Sequence, residues 1–422
     1  MTENNRIAFG SLGCKLNQAE TEVLARQLAA AGYELVSTVE EANVYVLNTC
    51  TVTHIADRKS RHLLRQAYRR NPDIRTVAIG CYAEGAPSDL TGIDGVAMVL
   101  DNGQKPQLLR RLEEAGCLSR PPAPPVAPPV NGRRARAFVK VQEGCRGACA
   151  YCIVPLVRKN ENSLADTGII RDIKQLVAEG VKETVLTGTE IGRYNYRGVN
   201  LAGLVRRLLA ETSIARLRLS SLQPPEVSPE LIELWRDHRL CPHFHLSLQS
   251  GSDAVLGRMR RGYTLHDYRE AVSLVRAARP EAAVTTDIIV GFPGETDEEF
   301  RENLDFCRRM EFSRIHVFAY SPRRGTEAAG MPCQVGASVK KWRSRQMLAL
   351  AAECAGSFNR KFLGRTLPVL WEKREKGDKP LWSGHTDNYI KVYAGSDRDL
   401  TGQIIPVRLE NLWKDGVRGE LI

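Results

Sequence analysis

Three cysteines, Cys145, Cys149 and Cys152, fall at spacings of four and three residues within one short glycine-rich stretch from Gly144. Three thiolates supply three of the four ligands that a four-iron, four-sulfur cluster takes, and no fourth cysteine follows at ferredoxin spacing. One iron is left open. A structural zinc ion would ask for a fourth ligand close by, which the stretch does not offer. Three further cysteines, Cys14, Cys50 and Cys81, stand far apart, yet each comes shortly after a run of strand-forming residues. If those strands share a parallel sheet, their carboxyl ends lie side by side and the thiols converge on one edge. They then hold a second cluster, again with one iron uncovered; buried free thiols, common in sheets, are the alternative.

An open iron has a chemistry of its own. It chelates the amino and carboxylate groups of a methionine, which brings the sulfonium of S-adenosylmethionine beside a reducing cluster. One electron then cleaves a carbon–sulfur bond. The 5′-deoxyadenosyl radical so formed takes hydrogen from unactivated carbon, and the protein's task is to position the cofactor and exclude competing reactions.

The elements that must position these thiols show as alternation. In residues 1–117 the apolar runs Ile7 to Phe9, Val44 to Leu47 and Val77 to Ile79 are separated by helical patterns such as Leu24, Leu28 and Ala31. This predicts an open parallel α/β sheet. Residues 118–132, rich in proline, read as a semi-rigid polyproline-like linker. From 133 to 360 strand–helix units restart, with strands at 138–141, 184–186, 217–219, 244–248, 287–290 and 315–318. Six units are too few for an eight-stranded barrel and enough for an open, partial (β/α)6 one. The three-cysteine loop follows the first of these strands, at the end where such barrels put their chemistry. A helix near 338–361 leads into residues 361–422, where apolar runs from Leu367, Tyr389 and Gln403 between Gly, Asp and Asn turns predict a small all-β barrel.

The 422 residues are 43% hydrophobic, enough for two or three cores. Nowhere do about 18 uncharged apolar residues stand together, and the N-terminus lacks a basic segment followed by an apolar run, which predicts a cytoplasmic protein. In a reducing compartment clustered cysteines point to metal rather than disulfides. The net charge of +11 suits a polyanionic partner, and most of the surplus lies in residues 121–360. The helix after Cys50 carries Arg58, Lys59, Arg61, Arg65, Arg69 and Arg70 against Asp57, a solvated face or an RNA contact. Cys117, Cys241, Cys307, Cys333 and Cys354 read as packed thiols. His243 and His245 share one face of their strand, and a satisfied buried pair is the plainer reading.

With Tyr151 just before its last cysteine, the Cys145 to Cys152 motif resembles the radical S-adenosylmethionine superfamily. Two three-cysteine sites, a partial barrel and a terminal β-barrel together resemble the methylthiotransferase family, over essentially the whole chain. Those enzymes insert sulfur and a methyl group at a carbon–hydrogen bond. The resemblance implies two 4Fe-4S clusters, on Cys14, Cys50 and Cys81 and on Cys145, Cys149 and Cys152, with S-adenosylmethionine as both methyl donor and radical source. Tyr151 and Ile153 flank the motif as expected cofactor contacts. Gly188, Thr189 and Glu190 look like the glycine-glycine-glutamate motif that binds the methionine amino group, a carboxylate being the right partner for an ammonium. Ser247 and Gln249, then Asp287, Val290, Gly291 and Phe292, resemble the strands that contact ribose and adenine.

Within the family, Gly13 to Glu20 and Asn48 to Thr53 look like the branch that modifies N6-threonylcarbamoyladenosine at position 37 of tRNA. The branches acting on isopentenyladenosine and on a ribosomal protein aspartate are alternatives; an iron–sulfur tRNA-binding protein without catalysis is the alternative from another class. The terminal barrel is then a TRAM domain that grips tRNA mainly through phosphates. The implied partners are tRNA and a reducing electron donor, with no membrane, and the chain is expected to be a monomer. One departure follows Pro155: Arg158 and Ser163 match the family, whereas Lys159 and Leu164 replace its glycine and second arginine.

Overall fold

The computed structural model describes residues 5–119, 135–377 and 380–422. Apart from Leu118 and Ser119, the proline-rich segment at 118–132 lies outside the described residues; Leu118 itself packs into the first core.

Strands β1 (Arg6–Ser11), β2 (Glu34–Leu35), β3 (Val44–Thr49), β4 (Arg75–Gly80) and β5 (Val96–Leu100) form one parallel sheet in the order β2-β1-β3-β4-β5. Residues Val44 to Thr49 of β3 are all buried, which is why that strand reads as a continuous apolar run rather than an alternating one. Helices α1 (Lys15–Ala30), α2 (His54–Arg70) and α3 (Cys81–Gly85) each leave the carboxyl end of a strand. The Thr53 hydroxyl accepts from the Ala56 amide at 3.2 Å and so starts α2 just past Cys50. In register, Ser11 lies opposite Asn48 and Thr49 opposite Gly80, so Cys14, Cys50 and Cys81 leave the sheet along one edge.

The central unit is built on β6 (Arg136–Lys140), β7 (Glu183–Thr187), β8 (Arg216–Leu219), β9 (Ser221–Leu222), β10 (His243–Leu246), β11 (Ala283–Val290) and β12 (Arg314–Ala319). All pairings are parallel, in the orders β8-β7-β6 and β9-β10-β11-β12. The predicted third strand is thus split: its first half pairs with β7 and its second with β10, which turns the sheet into a half-barrel. Helices cover the outside, and their apolar faces with the strands make the largest core. After β6 comes the three-cysteine loop and the short helix α4 (Val154–Val157); α5 (Ala337–Arg360) closes the unit.

Strands β13 (Thr366–Arg374), β14 (Leu381–Thr386), β15 (Lys391–Gly395), β16 (Ile404–Trp413) and β17 (Gly416–Leu421) close a barrel in the order β13-β14-β15-β17-β16 around Val369, Trp371, Val392, Val407, Leu409 and Val417. Tyr389, expected to start a strand, instead takes φ +69° in the turn before it. Its ring leaves the barrel and stacks on His243 at 4.5 Å and His385 at 4.7 Å, with the Arg218 guanidinium 4.7 Å above. This aromatic plug, with Arg216 donating to the carbonyls of Pro368 at 2.7 Å and His385 at 3.1 Å, docks the small barrel on the base of the large one.

Candidate active site

The loop after β6 is shaped by Gly144, at φ +75°, where a Cβ would sit 2.1 Å from the Asn160 carbonyl oxygen. No other residue fits that turn. The Ala150 amide donates to the Met259 carbonyl at 3.0 Å and the Ala150 carbonyl accepts from Ala328 at 2.8 Å, which pins the loop to the barrel rim. Cys145 Sγ accepts from the Gly147 amide at 3.1 Å, and Cys149 Sγ accepts from Arg261 Nη1 at 3.2 Å. Burial pushes the Cys145 thiol up to about 12, with help from Glu190, and Cys152 up to about 11. Only a bound cation ionises thiols placed like this. Among the described residues, the donor atoms of neither cysteine trio all come within 4.8 Å of one another. A single tetrahedral ion with sulfur at about 2.3 Å needs closer thiols than that, so the spread fits a multi-iron cluster.

These cysteines face a cavity of about 590 Å³. Glu190 stands in its wall: Oε2 lies 3.1 Å from Cys145 Sγ, and Oε1 accepts from Gln223 Nε2. Gln142 Oε1 holds the backbone amides of Thr189 at 3.1 Å and Glu190 at 2.9 Å. Gly188 does not line the cavity; a Cβ there would meet the Gln142 carbonyl oxygen at 2.7 Å, so its role is to let the two chains approach. Tyr151, Ile153, Thr189, Ser247, Gln249 and Asp287 do line it. Val290, Gly291 and Phe292 are not brought there. Val290 packs in the main core, Phe292 packs behind the loop against Ala150 and Tyr320, and Gly291 faces the Lys340 side chain. Val290 is the last residue of β11, and Gly291 and Phe292 follow it.

Cys14, Cys50 and Cys81 converge, each within electrostatic reach of the others. Gly13, at φ +97°, lets Cys50 in: a Cβ would lie 2.6 Å from its sulfur. Burial pushes the Cys50 thiol to about 12, while Cys14 stands exposed at the edge of the trio, so this trio too suits a cationic cluster. Val52 and Thr53, just past Cys50, line the same cavity as the first trio, and Ile153 packs on Cys81. The first trio thus lines the cavity, and the second adjoins its wall through these neighbours of Cys50 and Cys81. Beside them Arg158 is buried, with Nε donating to Cys81 Sγ at 3.3 Å, Nη1 to Glu20 at 2.8 Å, and Nη2 to Glu20 and Asn17 at 2.9 Å. Lys105 adds a bond to Glu20 at 2.7 Å. Against burial, these cations hold the Glu20 carboxyl far below its ordinary range.

Several of these residues carry no sequence signal. Arg261 and Gln223 lie outside every motif, Gln142 stands just ahead of the three-cysteine stretch without being part of it, and Arg158 shows only as a family match without a role. The leftover cysteines Cys117, Cys241, Cys307 and Cys354 are buried as expected, whereas Cys333 is exposed, in a turn at φ +58°. His243 and His245 share one partner, the Thr285 hydroxyl, at 3.1 and 2.9 Å. His245 Nε2 also meets Asp287 at 3.2 Å. Burial alone would raise the Asp287 carboxyl; the His245 hydrogen bond and neighbouring positive charge hold it below its ordinary value.

A parallel half-barrel with three thiols in the loop after its first strand defines the radical S-adenosylmethionine class, and the Radical SAM superfamily model matches residues 139–307. The uncharacterized protein family UPF0004 matches residues 6–101. The chain is 37% identical to the threonylcarbamoyladenosine tRNA methylthiotransferase MtaB of Bacillus subtilis, over 96% of this chain and 93% of that protein. It is 36% identical to the tRNA-2-methylthio-N(6)-dimethylallyladenosine synthase of Moorella thermoacetica, over 97% of each. Among solved structures, the radical S-adenosylmethionine methyltransferase TsrM of Kitasatospora setae shares the fold, with TM-score 0.56 and 16% identity over 77% of this chain and 75% of that one. The chain belongs to the radical S-adenosylmethionine methylthiotransferase family.

Proposed function

We propose that this enzyme converts N6-threonylcarbamoyladenosine at position 37 of tRNA to its 2-methylthio derivative. The observation that carries the reading is a pair of separate cysteine trios, one lining the cavity and the other adjoining its wall through Val52, Thr53 and Ile153. Relatives matched over nearly the whole chain support it, since the Bacillus subtilis and Aquifex aeolicus proteins, 37% and 38% identical, are named for threonylcarbamoyladenosine in tRNA. When bound, S-adenosylmethionine and the cluster on Cys145, Cys149 and Cys152 supply a 5′-deoxyadenosyl radical, and the cluster on Cys14, Cys50 and Cys81 supplies the sulfur site.

The chain's own residues do the positioning. Glu190, fixed by Gln142 and Gln223, presents a carboxylate to the methionine ammonium. Arg261 lies on Cys149 and over the Tyr263 ring at 4.8 Å, a fixed positive charge next to a site that must accept an electron. Ser247, Gln249 and Asp287 offer polar contacts along the cofactor's length. Tyr320 and Ile289 close the wall against water. The exposed cationic residues Arg58, Lys59, Arg65 and Arg69 on α2, beside the cavity mouth at Val52 and Thr53, are the landing surface for the anticodon arm.

The test is nucleoside mass spectrometry of tRNA from cells with and without the gene. Methylthio-threonylcarbamoyladenosine that depends on the gene is the expected result; dependence of methylthio-isopentenyladenosine instead moves the enzyme to the other tRNA branch, and a change in neither refutes a role in tRNA methylthiolation. Anaerobically reconstituted protein is expected to hold about eight iron per chain. Formation of 5′-deoxyadenosine is expected to vanish when Cys145, Cys149 and Cys152 become alanine. No helix among the described residues is long and apolar enough to cross a membrane; the reading makes this a cytoplasmic enzyme that acts with a reducing electron donor.

A further inference from the structure

The interior of the central barrel holds a cation that none of the chemistry above uses. Lys15 is the first residue of α1, which packs along β6 and β7. The charges that bear on its ammonium are Arg218, Arg136, Asp287 and Glu183, from β8, β6, β11 and β7. It bears in turn on His243 of β10 and His316 of β12. One lysine from the first domain thus acts electrostatically on, or is acted on by, residues of six barrel strands.

The acids nearby are already engaged. Glu183 accepts from Arg136 at 2.7 Å and Arg218 at 2.9 Å, Glu372 pairs with Arg136 at 3.0 Å and His385 at 2.7 Å, and Asp287 is held by His245. Among the described residues no carboxylate comes within 4.0 Å of Lys15 Nζ. Lys15 is thus left without an ion-pair partner among the described residues, while Arg136, Arg216 and Arg218 share Glu183. A half-buried cation without a counter-charge is a site for an anionic oxygen.

One other reading of this cluster is a metal site, because donor atoms of His245, Asp287 and His316 all lie within 4.8 Å of one another. Both His245 ring nitrogens are already engaged, with Thr285 and Asp287, and a divalent ion would face Lys15, Arg136 and Arg218. The electrostatics favour an anion. Asp287 lines the cofactor cavity and is one of the charges that act on Lys15, so it links the two groups. Lys15 also directly follows Cys14, which places the start of α1 next to the first trio.

We propose that Lys15, with His316 beside it, binds the carboxylate of the amino-acid side chain on the substrate nucleoside. This rests on the threonylcarbamoyl reading and names the residue that enforces it.

The test uses the reconstituted two-cluster enzyme and two anticodon stem-loop RNAs, one carrying N6-threonylcarbamoyladenosine and one its carboxamide, in which the carboxylate is a neutral amide. For the wild type, KM is expected to rise about tenfold to a hundredfold on the carboxamide, with a smaller effect on kcat. Lys15→Gln is expected to raise KM for the acid by a similar factor and to penalise the carboxamide far less, while Lys15→Arg restores part of the affinity for the acid. Iron content and S-adenosylmethionine affinity serve as controls. Equal use of both RNAs by the wild type, or an equal penalty of Lys15→Gln on both, overturns the inference while leaving the substrate reading intact. So does a drop in S-adenosylmethionine affinity in Lys15→Gln, which assigns the lysine to the methionine carboxylate. If the wild type methylthiolates neither RNA, the substrate reading itself fails.

Discussion

Arg158 shows how much one side chain settles at the residue scale. It lies in the segment where this chain departs from its family, yet its guanidinium spans Cys81, Glu20 and Asn17. Lys159 and Leu164, which stand where the family has glycine and arginine, take other roles: Lys159 pairs with Glu84 at the surface, and Leu164 packs against the main core. Replacing Arg158 by Met leaves Glu20 buried with Lys105 as its closest remaining partner. The expected loss of unfolding free energy is about 2 kcal/mol, below the roughly 3–5 kcal/mol for removing a sole partner. Chemical denaturation of the metal-free chain checks it, and Arg158→Lys is expected to fall between. A further consequence is for the cluster on Cys81, whose potential should move negative once a cationic hydrogen-bond donor leaves its sulfur; redox titration followed by EPR reads it.

At the scale of elements, the two cysteine loops depend on glycines in left-handed conformations. Gly144→Ala drives a Cβ into the Asn160 carbonyl, and Gly80→Ala, at φ +98°, drives one to within 2.3 Å of Asn48 Oδ1. Each distorts the loop that carries its own trio and leaves the other alone. Each variant is therefore expected to lose about half of the roughly eight iron atoms, with helix content by circular dichroism unchanged. Equal iron in either variant and the wild type would show that the loop tolerates the shift. Thr53→Ala removes the cap of α2 and is expected to cost about 1 kcal/mol, measurable as a lowered denaturation midpoint.

For the whole molecule, buried ion pairs join the domains. Arg323 donates to Asp57 at 2.6 Å and Thr51 at 2.7 Å, tying the first domain to the rim of the central barrel. Glu183, with Arg136, Arg216 and Arg218, ties the central barrel to the terminal one through Glu372, Pro368 and His385. Burial works against the Glu183 charge, and three guanidinium groups outweigh it, so its folded carboxyl lies far below the ordinary range. The sign follows from linkage: a depressed folded value contributes stability that is complete above the unfolded value and is lost as pH falls through the folded one. Stability is expected to drop progressively below about pH 5. Glu183→Gln should be less stable than the wild type at pH 7 and show a shallower acid limb, in urea unfolding followed across pH; parallel curves would rule out this network as the cause.

The spacing of Cys145, Cys149 and Cys152 and the strand–cysteine pairs of the first domain were readable from the chain alone. Spacing within one loop is a local property, and apolar periodicity reports strands directly. The half-barrel and the closed terminal barrel were readable for the same reason. What only the tertiary structure decided are contacts between residues distant in the chain: Arg158 on Cys81, Arg261 on Cys149, Gln223 on Glu190, Tyr389 under Arg218, and Lys15 inside a barrel to which it does not belong. The same packing turned Val290 and Phe292, which sit in a motif that resembles a cofactor strand, into core. A motif states which side chains are available, whereas burial and the direction of the backbone decide which of them reach the cavity.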